Sequence, residues 1–162
     1  MQHDLPAIAT ALGQQLQQRD WMLASAESCT GGLIAAACTD IAGSSTWFER
    51  GFVTYSNAAK TELLGVPADL IAIHGAVSEP VVRAMAQGAA QRAGVQVAVA
   101  STGIAGPGGG SSAKPVGTVW LGWSVAGAVT STCYHFAGDR PAVRVQAVYQ
   151  GLFRLLKLIS AK

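Results

Sequence analysis

The chain has 162 residues, half of them hydrophobic and only 12% charged, with a formal net charge of +2. This length predicts one domain over residues 1–162, and the hydrophobic share is enough for a sizeable core. The small positive charge provides no dense Lys/Arg face. The composition therefore argues against nucleic-acid binding and is compatible with a small anionic substrate.

Apolar runs, cysteines and histidines exclude further classes of protein. No apolar run reaches the ~18 residues of a membrane span, and the N-terminus lacks the basic-then-apolar pattern of a signal peptide. The three cysteines, Cys29, Cys38 and Cys133, have no CxxC spacing, which argues against a disulfide framework and favours the reducing cytoplasm. The three histidines are scattered, so we expect no metal site and no cofactor.

Helical and strand-like segments alternate along the chain. In order, the pattern predicts a helix at 4–19, a strand at 21–27, a helix at 30–41, a turn at 42–46, a strand at 48–56, a helix at 57–64, a helical turn at 67–73, a helix at 79–93, a strand at 95–101, a glycine-rich loop at 102–110, strands at 116–126 and 129–136, and a last helix that begins within 138–141. Gly127 suggests a hairpin between the last two strands. This order predicts an α/β fold: three-layer α/β/α with a mixed, mainly parallel sheet.

The segment 25–32, Ser-Ala-Glu-Ser-Cys-Thr-Gly-Gly, joins the first predicted strand to the following helix. Gly31 and Gly32 lie where that helix begins, so unpaired backbone N–H groups are expected there. Ser28 precedes them and is suited to be a nucleophile beside a preformed oxyanion site. The same residues fit a simple helix cap by Ser28 or Thr30, and at this point both interpretations stay open.

A serine nucleophile needs a base, and Lys60 is the candidate. The histidines His3, His74 and His135 offer no obvious partner for the serine. A lysine that is desolvated in an apolar pocket has a lowered pKa and can accept the serine proton. Lys60 lies within one helical turn of a predicted strand end, near Tyr55. The alternative is a surface lysine paired with an acid.

The loop 102–110 follows the strongly apolar strand 95–101 and matches neither a P-loop nor a dinucleotide-binding fingerprint. We interpret it as a backbone nest for an anionic or carbonyl group, with a flexible tip as the alternative. Arg140, at the start of the last helix, is suited to bind a phosphate, or else pairs with Asp139 or Glu79. Because ligands bind at the carboxyl ends of strands, we expect Ser28, the segment 55–60 and this loop to share one pocket.

Six segments, in order along nearly the whole chain, resemble the signature of the CinA C-terminal domain family. They are Ala26-Glu27-Ser28-Cys29-Thr30-Gly31-Gly32, Gly51-Phe52-Val53-Thr54-Tyr55-Ser56-Asn57 with Lys60, Gly75-Ala76-Val77-Ser78, Thr102-Gly103-Ile104-Ala105-Gly106-Pro107-Gly108-Gly109, Lys114-Pro115-Val116-Gly117-Thr118-Val119 and Gly138-Asp139-Arg140. The stretch 108–113 departs slightly, since it is neutral where family members often carry an acidic residue. The chain resembles the stand-alone form of the family rather than the long form with a second domain.

The resemblance implies nicotinamide-nucleotide amidase activity, which converts nicotinamide mononucleotide to nicotinate mononucleotide and ammonia in pyridine nucleotide recycling. It implies a three-layer α/β/α fold and a Ser/Lys dyad, with Ser28 as nucleophile, Lys60 as base and Tyr55 close by, and an acyl-enzyme intermediate. The expected substrate-binding residues are Glu27, Cys29, Thr30, Gly31, Gly32, Thr102, Gly103, Ile104, Ala105, Gly106 and Arg140. Glu27 would either orient Lys60 or bind ribose hydroxyls.

Competing hypotheses remain from the sequence. Cys29 is an alternative nucleophile, because a helix N-terminus lowers a thiol pKa, although it lacks a histidine partner. A second alternative is a non-catalytic nucleotide-binding module, and a third is a structural oligomer subunit. We expect a small-molecule nucleotide as the partner, no nucleic acid and no membrane, and a homo-oligomer in which a dimer is favoured.

Overall fold

The computed structural model describes residues 4–162, so His3 lies outside the described residues. Its helices are α1 Leu5–Gln18, α2 Leu33–Thr39, α3 Asn57–Leu64, α4 Ala68–His74, α5 Glu79–Ala93 and α6 Arg140–Ser160, and its strands are β1 Leu23–Glu27, β2 Phe48–Val53, β3 Val97–Gly103, β4 Thr118–Val125 and β5 Ala128–His135. A short 3-10 turn, Ser44–Thr46, precedes β2. Within residues 4–162, no helix combines the length and the hydropathy that a membrane crossing requires.

The five strands form one mixed sheet in the order β2-β1-β3-β4-β5. The β1–β2 and β1–β3 pairs are parallel, whereas the β3–β4 and β4–β5 pairs are antiparallel. Four strands therefore run in one direction and β4 alone runs against them. The predicted mixed, mainly parallel sheet is confirmed. The carboxyl ends of β1, β2 and β3 consequently meet at one edge of the sheet.

Helices cover both faces of the sheet, which confirms the three-layer α/β/α prediction. On one face α1, α2 and α6 bury a core that includes Leu12, Leu152 and Trp123. On the other face α3, α4 and α5 bury a smaller core around Val82 and Met85. The sheet is thus shielded on both sides, as expected for a chain with so little charge.

Small residues bring the second helical layer close to the sheet. A Cβ at Gly88 of α5 would lie 2.0 Å from the Leu64 carbonyl oxygen of α3, and one at Gly122 of β4 would lie 2.8 Å from the Val82 carbonyl oxygen. Only glycine allows these approaches. Helix α3 is therefore held tightly against α5, and this fixes the position of Lys60 on α3.

Three predicted boundaries near the expected pocket are wrong. The helix after β1 begins at Leu33 rather than at residue 30, because Gly31 and Gly32 adopt positive φ angles of 56° and 106° and extend the turn. Strand β2 ends at Val53 rather than at residue 56, and β3 runs two residues further than expected, to Gly103. The loop that follows β3 is accordingly shorter.

Candidate active site

The candidate site lies where β1, β2 and β3 end. Backbone hydrogen bonds continue past the strand ends, since the Ser28 amide donates to the Ser101 carbonyl at 3.0 Å and the Thr54 amide donates to the Glu27 carbonyl at 2.9 Å. These bonds place the residues that follow each strand side by side. The three segments expected to form one pocket are therefore adjacent in the structure.

Ser28 and Lys60 are in direct contact across this edge. The Lys60 Nζ atom donates to Ser28 Oγ at 3.2 Å and to the Tyr55 carbonyl oxygen at 3.4 Å. Lys60 is only 1% exposed, while Ser28 is half-buried. Burial lowers the pKa of Lys60 below its ordinary value, because it penalises the charged ammonium form. A buried lysine beside a serine hydroxyl is a chemically competent base.

Helix α3 brings Lys60 to this position through well-defined ends. The Ser56 hydroxyl accepts a hydrogen bond from the Ala59 amide at 3.0 Å, and Gly65 ends the helix with a positive φ of 70°. Lys60 therefore lies on the first turn of α3 and faces the sheet. Among the described residues, no carboxylate forms an ion pair with Lys60. The alternative interpretation as a surface lysine paired with an acid is wrong.

Tyr55 and Arg140 form a second contact at the mouth of the site. The Arg140 guanidinium donates to the Tyr55 hydroxyl at 3.0 Å and to the Gly106 carbonyl oxygen at 2.9 Å. Tyr55 is 61% exposed. Arg140 thus contacts Tyr55 and Gly106 of its own chain, and among the described residues it pairs with neither of the acids considered from the sequence. Asp139 instead caps α6 by accepting from the Ala142 amide at 3.0 Å.

Glu27 and Thr30 build the turn rather than face the surface. Both are 0% exposed. The Glu27 carboxylate accepts hydrogen bonds from the Ile34 amide at 2.8 Å, the Ala35 amide at 3.0 Å and the Thr30 hydroxyl at 2.8 Å. The carboxylate therefore caps α2, where the helix dipole favours a negative charge. The expectation that Glu27 orients Lys60 or binds ribose is corrected by this position.

Cys29 is a poor candidate for the nucleophile. Its side chain is buried, with 6% of the residue exposed, and burial raises its thiol pKa to about 11. A thiol with this pKa is almost entirely protonated at neutral pH and is a weak nucleophile. Among the described residues, neither His74 nor His135 contacts it to act as a base. These observations favour Ser28 over Cys29.

The backbone of the 28–32 turn offers N–H donors next to Ser28. The Gly31 amide is occupied, because it donates to the Ser28 carbonyl at 3.1 Å. Within residues 4–162, the amides of Cys29, Thr30 and Gly32 donate to no backbone carbonyl, and the Cys29 amide lies beside its own sulfur. These three amides are therefore the candidate donors to an oxyanion beside Ser28.

The first residues of the predicted glycine-rich loop belong to the sheet. The Thr102 hydroxyl donates to the Ala76 carbonyl at 2.9 Å and is buried, and a Cβ at Gly103 would lie 2.9 Å from the Thr118 carbonyl oxygen. The Thr102 side chain is therefore engaged within the protein, so any contribution of Thr102 to substrate binding would come from its backbone. The Ile104 amide donates to the Thr118 carbonyl at 2.9 Å, so the open loop begins only after Gly106.

A cleft of about 420 Å³ lies between this loop and the start of α6. It is lined by Ala105, Pro107, Val116, Gly138, Asp139, Arg140 and Pro141. Arg140 is the cationic residue in the lining, and the cleft adjoins the Tyr55 hydroxyl through it. This cleft has the size to hold part of a small ligand, and Arg140 offers an anionic group a cationic partner there, while the neighbouring Asp139 caps α6.

Sequence reasoning missed Arg144. Its Nε atom donates to the Cys29 carbonyl at 3.0 Å and its Nη2 atom donates to the Thr30 carbonyl at 3.2 Å. It lies one helical turn after Arg140 on α6. The signal that could have revealed it is this spacing, because residues four apart lie on one face of a helix.

Comparisons with known proteins agree with this architecture. The model of the CinA C-terminal domain matches residues 6–159. The chain is 54% identical over 154 residues to "Nicotinamide-nucleotide amidohydrolase PncC" of Enterobacter agglomerans, covering 94% of each chain, and 53% identical over 152 residues to the protein of that name from Escherichia coli K12, covering 92% of this chain and 91% of that one. A solved CinA superfamily protein from Klebsiella pneumoniae superposes with a TM-score of 0.94 at 38% identity, covering 98% of this chain and 99% of that chain.

Proposed function

The chain belongs to the CinA C-terminal domain family, and we propose that it is an amidohydrolase that converts nicotinamide mononucleotide to nicotinate mononucleotide and ammonia. The observation that carries this proposal is the 3.2 Å contact between Lys60 Nζ and Ser28 Oγ in a buried setting. Relatives named as nicotinamide-nucleotide amidohydrolases, 53–54% identical over nearly the full chain, support the choice of substrate.

The reaction begins with Lys60 as the general base. In its neutral form, which burial favours, Lys60 takes the proton of the Ser28 hydroxyl while Ser28 Oγ attacks the carboxamide carbon of the nicotinamide. The carbonyl oxygen then becomes an oxyanion, and the amides of Cys29, Thr30 and Gly32 are the donors proposed to stabilise it. In other enzymes, removal of one such donor lowers kcat by about a hundredfold to a thousandfold.

The intermediate collapses in two steps that return the enzyme to its starting state. Protonated Lys60 delivers its proton to the leaving nitrogen, the carbon–nitrogen bond breaks, and ammonia departs from an ester between the nicotinoyl group and Ser28. Water then attacks this acyl-enzyme while Lys60 again takes a proton. Nicotinate mononucleotide leaves, and Ser28 recovers its hydrogen. The proposal requires no cofactor.

The phosphate of the nucleotide is assigned to the cleft beside Arg140. A guanidinium binds phosphate oxygens in a bidentate manner, and the α6 N-terminus adds a favourable dipole. Gly103, Ile104, Ala105 and Gly106 would contribute main-chain contacts rather than side chains. Tyr55, held by Arg140 at 3.0 Å, lies between this cleft and Lys60, and we assign it to orientation of the substrate.

The test is ammonia release from nicotinamide mononucleotide by the wild type and by Ser28→Ala and Lys60→Ala. We expect release by the wild type and a loss on the order of a thousandfold or more in each variant, because residues of one catalytic unit act together. Ser160→Ala and Lys157→Ala, which change the same residue types near the end of α6, are the controls and should retain wild-type release.

Two outcomes would contradict the proposal. Wild-type turnover in Ser28→Ala would remove the nucleophile assignment. A folded wild type that binds the nucleotide, measured by calorimetry, but releases no ammonia would favour the nucleotide-binding module instead.

The setting of the reaction and the assembly of the chain stay predictions. All three cysteines are free in the structure, which supports the proposed reducing, cytoplasmic setting.

The expected homo-oligomer, with a dimer favoured, can be checked by light scattering of the purified protein.

A further inference from the structure

Arg144 connects the last helix to the turn that carries Ser28. Its guanidinium bonds the carbonyl oxygens of Cys29 and Thr30, the two residues that directly follow Ser28. Arg144 is half-buried, as expected for a side chain that spans from α6 to the sheet edge. Neither the expected catalytic set nor the expected substrate-binding set includes this residue.

The turn needs external support because two of its five residues are glycines. Gly31 and Gly32 have positive φ angles, which leave the backbone with little intrinsic preference for one path. From the β1 side, the Glu27 carboxylate holds the Thr30 hydroxyl and the first amides of α2. From the opposite side, Arg144 holds the carbonyls, and a Cβ at Gly31 would lie 3.3 Å from its Nη2 atom. The turn is thus fixed on both sides.

We propose that Arg144 is a positioning residue for acyl transfer. By holding the Cys29–Thr30 and Thr30–Gly31 peptide units, it fixes the backbone that follows Ser28. Ser28 Oγ is thereby kept beside Lys60 Nζ, and the amides of the turn are kept in place for the forming oxyanion. The proposal rests on the proposed function insofar as Ser28 is the nucleophile. It is independent of the identity of the acyl group that Ser28 accepts.

The charge of Arg144 adds to its geometric effect. Hydrogen bonds from a cation are stronger than neutral ones, and they polarise the peptide groups that accept them. Here these are the Cys29–Thr30 and Thr30–Gly31 peptide groups, so the Thr30 amide becomes a better donor, whereas the Gly31 amide already donates to the Ser28 carbonyl. The field of the guanidinium reaches the turn. Burial raises the pKa of the Cys29 thiol and is the larger effect, whereas the positive charge of Arg144 lowers it. The same field favours negative charge that develops on a bound carbonyl.

A purely structural role, in which Arg144 only attaches α6 to the sheet edge, predicts a different result. Such a role would lower the melting temperature and leave the rate of the folded protein unchanged. A positioning role lowers the rate of the chemical step and leaves substrate affinity nearly unchanged, because Arg144 bonds the protein backbone rather than the ligand. The ratio of the change in kcat to the change in KM therefore separates the two roles.

The experiment compares Arg144→Met and Arg144→Lys with the wild type. Arg154→Met, an exposed arginine ten residues further along α6, is the matched control. Two rates are measured: ammonia release from nicotinamide mononucleotide, and covalent labelling of Ser28 by a fluorophosphonate probe, followed by intact-protein mass. The labelling rate requires an activated serine and an oxyanion site but no nicotinamide. Thermal melts report folding of each variant.

We expect Arg144→Met to lower kcat and the labelling rate by about tenfold to a hundredfold, less than a full loss of an oxyanion donor would. KM should change by less than about threefold. Arg144→Lys, which keeps the charge but offers one compact donor group, should fall between Arg144→Met and the wild type. Arg154→Met should match the wild type in both rates.

Wild-type kcat and labelling in folded Arg144→Met would overturn the proposal. If Arg144→Met does not fold, wild-type rates in Arg144→Lys overturn it equally. If the wild type labels at Ser28 but releases no ammonia, the proposed substrate fails and the labelling ratios alone decide the role of Arg144. If Ser28 of the wild type neither labels nor turns over, both proposals fall.

Discussion

Two glycine-bearing segments follow neighbouring parallel strands, and they are built in opposite ways. The turn at 28–32, after β1, is embedded: Cys29 and Thr30 are buried, and hydrogen bonds from Glu27 and Arg144 hold it on both sides. The loop at 107–116, after β3, is almost entirely exposed. We propose that the reaction takes place at the embedded turn, which carries Ser28. We propose that the nucleotide is bound near the exposed loop.

This difference follows from what each task requires. A nucleophile and its base must keep their geometry, since a displacement of about 1 Å can lower the rate by about a hundredfold. A loop that contacts a ligand at a cleft tolerates movement and often gains order on binding. The loop has few internal hydrogen bonds: the Ser111 amide donates to the Lys114 carbonyl at 2.9 Å, and the Lys114 amide donates to the Ser111 hydroxyl at 3.1 Å. One bond ties it to α4, where the Lys114 Nζ atom donates to the His74 carbonyl at 3.2 Å.

The largest expected contrast is between Lys60, which lies on α3 and contacts Ser28 of the turn, and Lys114 of the loop. Lys60 must be neutral to act as a base, so activity should fall about tenfold per pH unit below its pKa and rise to a plateau above it. Burial lowers this pKa, which moves the plateau toward neutral pH. Lys114→Met, in the loop, should leave the position of this limb unchanged. A profile of kcat against pH for the wild type and Lys114→Met checks both statements.

The same lysine links the site to stability. Because its pKa is lower in the folded than in the unfolded chain, the unfolded state binds more protons between the two values, and stability rises with pH across that window. Below the window, the buried lysine opposes folding. We therefore expect Lys60→Met to raise the free energy of unfolding at pH 7 by about 1 kcal/mol while abolishing activity. A lower melting temperature than the wild type at pH 7 would contradict this.

A second contrast concerns the hydrogen bonds inside each segment. The two carboxylate oxygens of Glu27 each accept one amide of α2, and Glu27→Gln replaces one of these oxygens by an NH₂ group, so we expect a loss of about 2–3 kcal/mol, typical of a buried charged acceptor. Ser111→Ala removes a hydroxyl that accepts from the exposed Lys114 amide, and its cost should stay below about 0.5 kcal/mol. Urea unfolding of both variants measures the difference. Similar losses would contradict the distinction between the two segments.

The smallest contrast is between glycines. A Cβ at Gly32 is strained by its φ of 106°, and Gly32→Ala should cost about 1–2 kcal/mol. Gly108 has no positive φ and no atom within 4 Å of a Cβ, so Gly108→Ala should change stability by less than about 0.5 kcal/mol and leave kcat intact. Melting temperatures of the two variants provide the check. Equal effects would show that the turn is no more constrained than the loop.

Local sequence signals predicted the boundaries of an element correctly where the residues that end it lie within or next to the segment. The helix predicted at 57–64 is observed as Asn57–Leu64, because a Ser56 cap and a left-handed Gly65 define both termini within the segment. The hairpin at Gly127 was predicted from its own turn residue in the same way, whereas the first strand, predicted at 21–27, is observed as Leu23–Glu27. Where the ends depend on pairing with other strands, as for β2 and β3, the predicted boundaries shifted by two or three residues.

The alternation of apolar segments determined the α/β/α class, and the motif residues pointed to Ser28, Lys60, Tyr55 and Arg140. Only the tertiary structure decided that Glu27 and Thr102 are internal, that Cys29 is buried, and that Arg144 holds the turn. A residue's type and spacing constrain what it can do chemically. Its burial and its partners depend on elements far away in the chain, here α6, whose Arg144 bonds the turn after β1, and these contacts arise only when the layers assemble.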